Sequence, residues 1–333
     1  MIANNFSSLL AQTITLELMY SIDIKNQGDL ILGEIGAGLL DNNNQVFLVD
    51  NGNKKVHHFD SAGKIKHSFG GEGRGPGEFL NAAGASLSSD SKTLYLLDYP
   101  NARVVLFETD TGTHKKTINF QSTTLVPIND LIEFNGKMIL LGSHQGKDQM
   151  LNVININGET EYSLGEFIDF NNFIHNNSGK MQLSVVHASI FEDLLLVSLA
   201  APNRMKLYDS DLNVLREFED DLLPKPWEKH MIMRPDRYRT TFYSMGLANQ
   251  ILSDETYLFY WLEVIDPKIP EVKKHLELRS LKDGKKLASY PVEPNISILD
   301  IIRESNTSAT ILTRNIDTYN FEVYKVNVGE NGN

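Results

Sequence analysis

Apolar residues come in short runs in this chain, broken by clusters of Gly, Asn and Asp, the signature of short strands joined by tight turns. Val46–Val49 and Lys55–Phe59 are two such runs, linked by Asp50-Asn51-Gly52-Asn53. Ser61 to Lys64 makes the next turn, and Ile65–Phe69 a third run. With an inner strand ahead of Asn42, this predicts a four-stranded antiparallel meander.

The plan then repeats. VFLVDNGNKKVHHFDSAG (Val46 to Gly63) aligns with LYLLDYPNARVVLFETDTG (Leu94 to Gly112) at an offset of 48 residues, pairing Asp50 with Asp98, Asn53 with Asn101, Lys55 with Arg103 and Phe59 with Phe107. A repeat of that length built from strands and turns predicts a β-propeller. Strand signals continue in weaker form to the end, giving blades at about 30–70, 80–121, 127–166, 183–219, 244–291 and 295–328. The sixth unit is short of one strand, and the N-terminal run Ile14–Ile24 is left over. The expectation is therefore an all-β, single-domain, six-bladed propeller of four-stranded antiparallel blades, its ring closed by residues 14–24 joining the last blade. Two segments break the pattern. Residues 167–179 are Asn-rich and aromatic. Residues 220–243 form a basic, aromatic insertion and hold the best helical candidate, which Pro235 interrupts.

Phe69–Phe79 reads FGGEGRGPGEF, a glycine-rich element between an outer strand and the next inner strand, followed by Asp-x-x-Asn-x-Arg/Lys-Val. On these residues the chain resembles the NHL-repeat class of six-bladed propellers, and especially the uncharacterised propeller proteins of Bacteroidetes. The specific motifs cover residues 45–112. Beyond them the resemblance is one of periodicity. It implies a protein that is exported or lipid-anchored, hence periplasmic or at the cell surface, and it brings to mind propeller lactonases with an axial calcium and lyases with a His or Glu base. The motif residues themselves have structural work: the glycines allow close approaches, Asp50 and Asp98 accept turn N–H groups, and Lys55 and Arg103 reach a neighbouring turn. The glycine run is not a phosphate loop, lacking the Gly-Lys-Ser/Thr ending and a following helix, and no βαβ unit makes it a dinucleotide site.

Composition narrows the function. A net charge of −12 over 333 residues repels phosphate backbones, so nucleic acid is not an expected partner. There is no cysteine, hence no disulfide, thiolate metal site or cysteine nucleophile. No Gly-x-Ser-x-Gly elbow occurs. No apolar run reaches the roughly 18 residues of a transmembrane segment. Residues 1–24 have no Lys or Arg, and Asn4, Asn5, Ser7, Ser8 and Gln12 interrupt any apolar block, so no signal peptide is visible. A cytoplasmic protein and one whose export signal has been removed both fit this.

Chemistry in a propeller sits on the inner strands or at a channel mouth. The inner-strand assignments bring Glu34, Asn81, Asn129, Asp130, His187, Met245, Asn249, Asp300 and Arg303 towards the axis. Glu34, Asn129, Asp130 and Asp300 could hold Ca²⁺ through oxygen. His187 beside Asp130 or Asp300 could move a proton. A water-filled polar channel without chemistry fits the same residues. The insertion 220–243 offers Trp227, Arg234, Arg237 and Tyr238, which with Arg303 form a second candidate surface for a small molecule, glycan or protein. Two functions follow. One is a non-catalytic, cell-envelope binding propeller using a channel mouth or the 220–243 loop. The other is a lactonase- or lyase-type enzyme with an axial polar or calcium site.

Overall fold

The computed structural model describes residues 12–120, 128–142, 149–166, 186–199, 204–219, 244–264 and 272–330. The strand β1 (Gln12–Ile22) opens the chain. Blade 1 is β2 (Ile35–Leu40), β3 (Val46–Asp50), β4 (Lys55–Phe59) and β5 (Ile65–Phe69); blade 2 is β6 (Ala82–Leu87), β7 (Thr93–Asp98), β8 (Arg103–Glu108) and β9 (His114–Asn119). Blade 3 is β10 (Ile128–Phe134), β11 (Lys137–Gly142), β12 (Gln149–Ile154) and β13 (Thr160–Glu166); blade 4 is β14 (Val186–Phe191), β15 (Leu194–Leu199), β16 (Arg204–Tyr208) and β17 (Val214–Glu219). Blade 5 is β18 (Ser244–Ile251), β19 (Thr256–Val264), β20 (Val272–Ser280) and β21 (Lys286–Val292). Blade 6 is β22 (Ile296–Ser305), β23 (Ser308–Asn315) and β24 (Phe321–Glu330), with β1 as its fourth strand. The expected all-β, six-bladed ring is thus present. So is its closure: β1 runs antiparallel to β24 from Gln12↔Glu330 to Ile22↔Phe321.

Hydrophobic patterning explains the layering. The second strands carry dense apolar runs on both faces; Val46, Phe47, Leu48 and Val49 are all fully buried. Fourth strands form the rim and alternate, as in Ile65–Phe69. Apolar side chains fill each blade-to-blade seam. Phe47, Phe79, Leu96 and Phe107 join blades 1 and 2; Leu258, Leu276, Ile301 and Ile311 join blades 5 and 6; and Ile22, Leu48, Phe59, Leu312 and Phe321 close the ring between blades 6 and 1. Each fully buried Leu or Phe contributes roughly 1.5–3 kcal/mol.

The duplicated motif is scaffold. Buried Asp50 accepts N–H groups of Gly33 (2.7 Å), Gly52 (2.8 Å) and Asn53 (3.0 Å). Burial pushes its carboxyl up, but the bonds from Gly33 and Asn53 outweigh burial and leave it below the usual carboxylate range. In blade 2, Arg103 donates to Asp98 at 2.9 Å and to the carbonyls of Arg74 (2.7 Å), Gly73 (3.1 Å) and Glu78 (2.8 Å), so it pins the whole glycine-rich loop. Lys55 does the same to Gly70 O at 2.6 Å.

Glycine is required where the last turn of a blade docks on the rim strand of the blade before it. Gly63 has φ +78, and a Cβ there would meet Ser21 O at 2.6 Å. Gly158 has φ +83, and a Cβ would land on the Asn119 carbonyl.

Candidate functional site

Register locates the axial residues. The six first strands stand side by side around the axis in the order β22, β2, β6, β10, β14, β18 and back to β22. Five of them break register with their second strand at the same place, near their start: Ile35/Ala37, Ala82/Gly84, Ile128/Asp130, Gly246/Ala248 and Ile298/Asp300. A bulge of this kind re-aims the residues that follow it. The residues just past it pair as Ala37↔Val49, Gly84↔Leu97, Asp130↔Leu141, Ala248↔Tyr260 and Asp300↔Leu312. In β14 the ladder is unbroken, and His187↔Ser198 falls at the same level. One tier of the inner strands therefore carries Asp130, His187 and Asp300 from blades 3, 4 and 6, with Ala37, Gly84 and Ala248 from blades 1, 2 and 5.

Each polar member of the tier is held by its surroundings. Asp300 accepts the N–H of Leu40 in the adjacent blade at 2.7 Å and that of Ile301 at 2.8 Å. Asp130 accepts the Leu131 N–H at 2.8 Å through one oxygen. The His187 ring makes no hydrogen bond among the described residues, but its carbonyl accepts from Asn249 (3.4 Å) and Ser198 (3.5 Å). Asn249 is itself locked by Ser189 (2.6 Å) and Ser198 (2.8 Å), a buried network that fixes β14 against β18.

The side chains of Asp130, His187 and Asp300 keep part of their surface accessible, yet protein surrounds them on all sides. Burial therefore sets their protonation. It raises Asp130 to about 7, and the Asp300 charge adds to that rise. Blades 3 and 6 are opposite in a ring of six, so this repulsion acts across the axis. Burial lifts Asp300 to about 6 against the Leu40 and Ile301 N–H bonds, and depresses His187 to about 4. The tier thus offers two carboxyls near their titration points at neutral pH and an uncharged imidazole.

The other candidates separate from this tier. Glu34 is exposed in the link ahead of β2, where its carbonyl accepts the Asn51 N–H at 2.6 Å. Asn129 is the extra residue of the β10 bulge. Asn81 is exposed just ahead of β6, and its N–H donates to Asp98. Met245 lies in β18 ahead of the bulge. Among the described residues no three His, Asp or Glu side chains are grouped to hold a metal ion. Arg303 lies at the far end of β22, donates to Leu252 O (2.6 Å) and Asn306 (2.7 Å), and stacks 4.5 Å above the Phe191 ring. It ties the opposite mouth and does not join the tier. Trp227, Arg234, Arg237 and Tyr238 lie outside the described residues, as does the helical candidate of that insertion. The strands flanking 220–243 are β17 and β18, and β18 starts at the tier's end of the channel. Sequence reading missed the small residues Ala37, Gly84 and Ala248 and the Ser189–Asn249–Ser198 lock. A small residue two places into β2 and β6 is the signal that points to the first two.

The chain is similar over 97% of its length, with TM-score 0.65 and 9% identity, to a member of the DUF4221 family from Bacteroides vulgatus, 99% of which is covered. A Bacteroides fragilis protein described as exported matches at TM-score 0.61 and 9% identity, with 95% of each chain covered. Virginiamycin B lyase from Staphylococcus aureus matches at 0.52 and 11% identity, covering 94% of this chain and 99% of the lyase. At such identities the likeness is one of fold. No curated protein matches by sequence. A family profile described as 6-bladed beta-propeller matches residues 16–195, more than half of the chain. The protein belongs to that family, DUF5128.

Proposed function

We propose that this protein is a non-catalytic binding propeller that takes a polar ligand, whether a small molecule or the end of a glycan or peptide, at the channel mouth where the inner strands begin. One observation carries the reading: Asp130, His187 and Asp300, three partly accessible polar side chains, fall on one tier of the inner strands whose other three positions are Ala or Gly. The ends of the basic, aromatic 220–243 segment adjoin β17 and β18, which supports Trp227 and Arg237 as outer contacts of the same mouth. The exported Bacteroides fragilis neighbour supports a cell-envelope location. A thermal-shift screen of sugars, amines, organic acids and peptides tests the proposal. A hit should weaken at least tenfold in Asp130→Asn or His187→Ala while the fold stays intact. Hits indifferent to all three tier residues would sink it.

The opposite protonation shifts within the tier favour a second reading, a lyase- or lactonase-type enzyme. There, uncharged His187 accepts a proton and protonated Asp130 donates one. The lyase of similar fold gives that reading its reaction class. A lactone, ester and glycoside turnover screen, repeated on His187→Ala, decides it. Turnover unaffected by that change would remove the enzyme reading.

A further inference from the structure

The seam between blades 5 and 6 holds a lysine that no acid balances. Lys274 lies in β20, and its cross-strand partners are Leu262 in β19 and Val292 in β21, both apolar. It is only 7% exposed, and no carboxylate pairs with it among the described residues. Its amino end crosses the seam to the start of β22, where it donates to the Ile296 carbonyl at 2.6 Å and to the Ser297 hydroxyl oxygen at 3.3 Å. An enclosed charge without a counter-ion is costly, and burial lowers the proton affinity of Lys274 accordingly. A long apolar side chain could close the same seam without burying an amine. Once neutral, the amine can keep one N–H on the Ile296 carbonyl and turn its lone pair to the Ser297 hydroxyl, the arrangement that activates a serine. Ser297 is half-buried, so the nucleophile has the access that its base lacks. Tyr260 faces the same seam from β19. Its buried hydroxyl makes no full hydrogen bond among the described residues, yet Ser297 and the Ile298 backbone lie close enough to act on it. Burial lifts that hydroxyl to about 12, so it stays protonated and able to donate.

We propose that Ser297 is a nucleophile activated by Lys274, and that this seam takes up an acyl group from a small activated ester, thioester or lactone. The Ser297 oxygen bonds to the acyl carbon while its hydrogen passes to Lys274. The bond from that carbon to the leaving group then breaks, and the departing alkoxide or thiolate takes the proton from Lys274, directly or through Tyr260. No oxidant, reductant or cofactor is consumed. Leu262 and Val292 beside Lys274 suit an apolar acyl chain. No carboxylate or imidazole bonds to Ser297 among the described residues to activate a water, so one acyl group is retained per chain. The site goes beyond the binding reading and uses none of the tier residues.

Treating the full chain with p-nitrophenyl hexanoate tests this, with nitrophenolate release followed by absorbance and the product by intact-mass spectrometry and peptide mapping. The expected result is a burst of one equivalent, one hexanoyl group on Ser297, and no burst from the urea-unfolded chain. Ser297→Ala should abolish the burst. Lys274→Met should slow it by about a hundredfold or more, the usual worth of a general base, and added methylamine should restore part of the rate. Should Lys274→Met fail to fold, the burst and the mapped site of the unaltered protein still decide the matter. No burst, acyl groups scattered over surface lysines, or an equal burst from Ser297→Ala overturns the proposal. An unchanged rate in a folded Lys274→Met leaves Lys274 a structural contact and overturns its role as base. Continuous turnover abolished by Ser297→Ala would uphold the nucleophile and overturn the non-catalytic reading of the protein instead.

Discussion

Replacing Arg103 by Ala should unfold the protein at a lower temperature and leave the channel chemistry untouched. Arg103 is 5% exposed and its guanidinium meets four acceptors, the Asp98 carboxylate and the carbonyls of Gly73, Arg74 and Glu78. Asp98 is fully buried and would keep only the N–H groups of Leu80 and Asn81, at 3.1 and 3.2 Å, and the Asn101 amide. Removing one member of a buried ion pair costs about 3–5 kcal/mol, and the remaining contacts place this case at about 3–4 kcal/mol. With an unfolding entropy of about 2.1 cal/mol/K per residue, the loss corresponds to a fall in Tm of roughly 4–6 °C for a chain of this size. Denaturant unfolding monitored by Trp fluorescence and far-UV dichroism measures it. Arg103→Lys keeps the charge but not the fork, and should lose about half as much. In the double variant with Asp98→Ala, the losses should be less than additive. A loss below about 1 kcal/mol would refute the scaffold reasoning, as would an altered titration of Asp130, because the duplicated motif would then belong to the site.

Three further outcomes follow from the same structure. Asp130 has a folded pKa of about 7 against an ordinary 3.8, so the folded state holds a proton that the unfolded state loses, and stability falls as pH rises through that window; Asp130→Asn should stabilise the fold at pH 8 by up to about 4 kcal/mol and do little at pH 4, read from urea midpoints. His58 is held down to about 3 by burial, with the Lys66 and His67 charges adding, so its neutral form stabilises the fold above pH 6.5 and that stability drains away as pH falls towards 3; His58→Asn should give a flatter acid-unfolding profile between pH 6.5 and 4, and an equally steep one would count against it. A chain beginning at Asp23 lacks β1, exposes the β24 edge and the Ile14 and Ile22 seams, and should lose cooperative thermal unfolding and associate in light scattering; an unchanged monomeric transition would contradict ring closure by β1.

The architecture was legible because a propeller writes its repeat in turn residues. Asp50 and Asp98, with Asn53, Asn101, Lys55 and Arg103, perform matching hydrogen-bonding tasks in matching places, and that task survives as identity. The spare run at residues 14–24 against a three-stranded last unit foretold the closing strand. The site was legible only as a loose set. His187, Asp130 and Asp300 stood among its members, but so did Glu34 and Arg303, which the structure puts ahead of β2 and at the far mouth. The missing information is the bulge. Each bulge shifts side-chain phase by one residue and separates Asn129 from Asp130, and β14 has none, so strand periodicity cannot align the six inner strands at this level. The Ser189–Asn249–Ser198 lock escaped for a related reason, since it joins residues of two blades more than fifty positions apart.

The shared tier is tested most directly by ¹³C carboxyl NMR titration of the protein, with Asp130→Asn and Asp300→Asn providing the assignments. The expected midpoints are about 7 for Asp130 and about 6 for Asp300, and the Asp130 midpoint should drop once Asp300 is replaced, because a charge across the axis is removed. Midpoints near the ordinary Asp value of about 3.9 for both groups, with no response of one to loss of the other, would show that the two carboxyls do not share the channel.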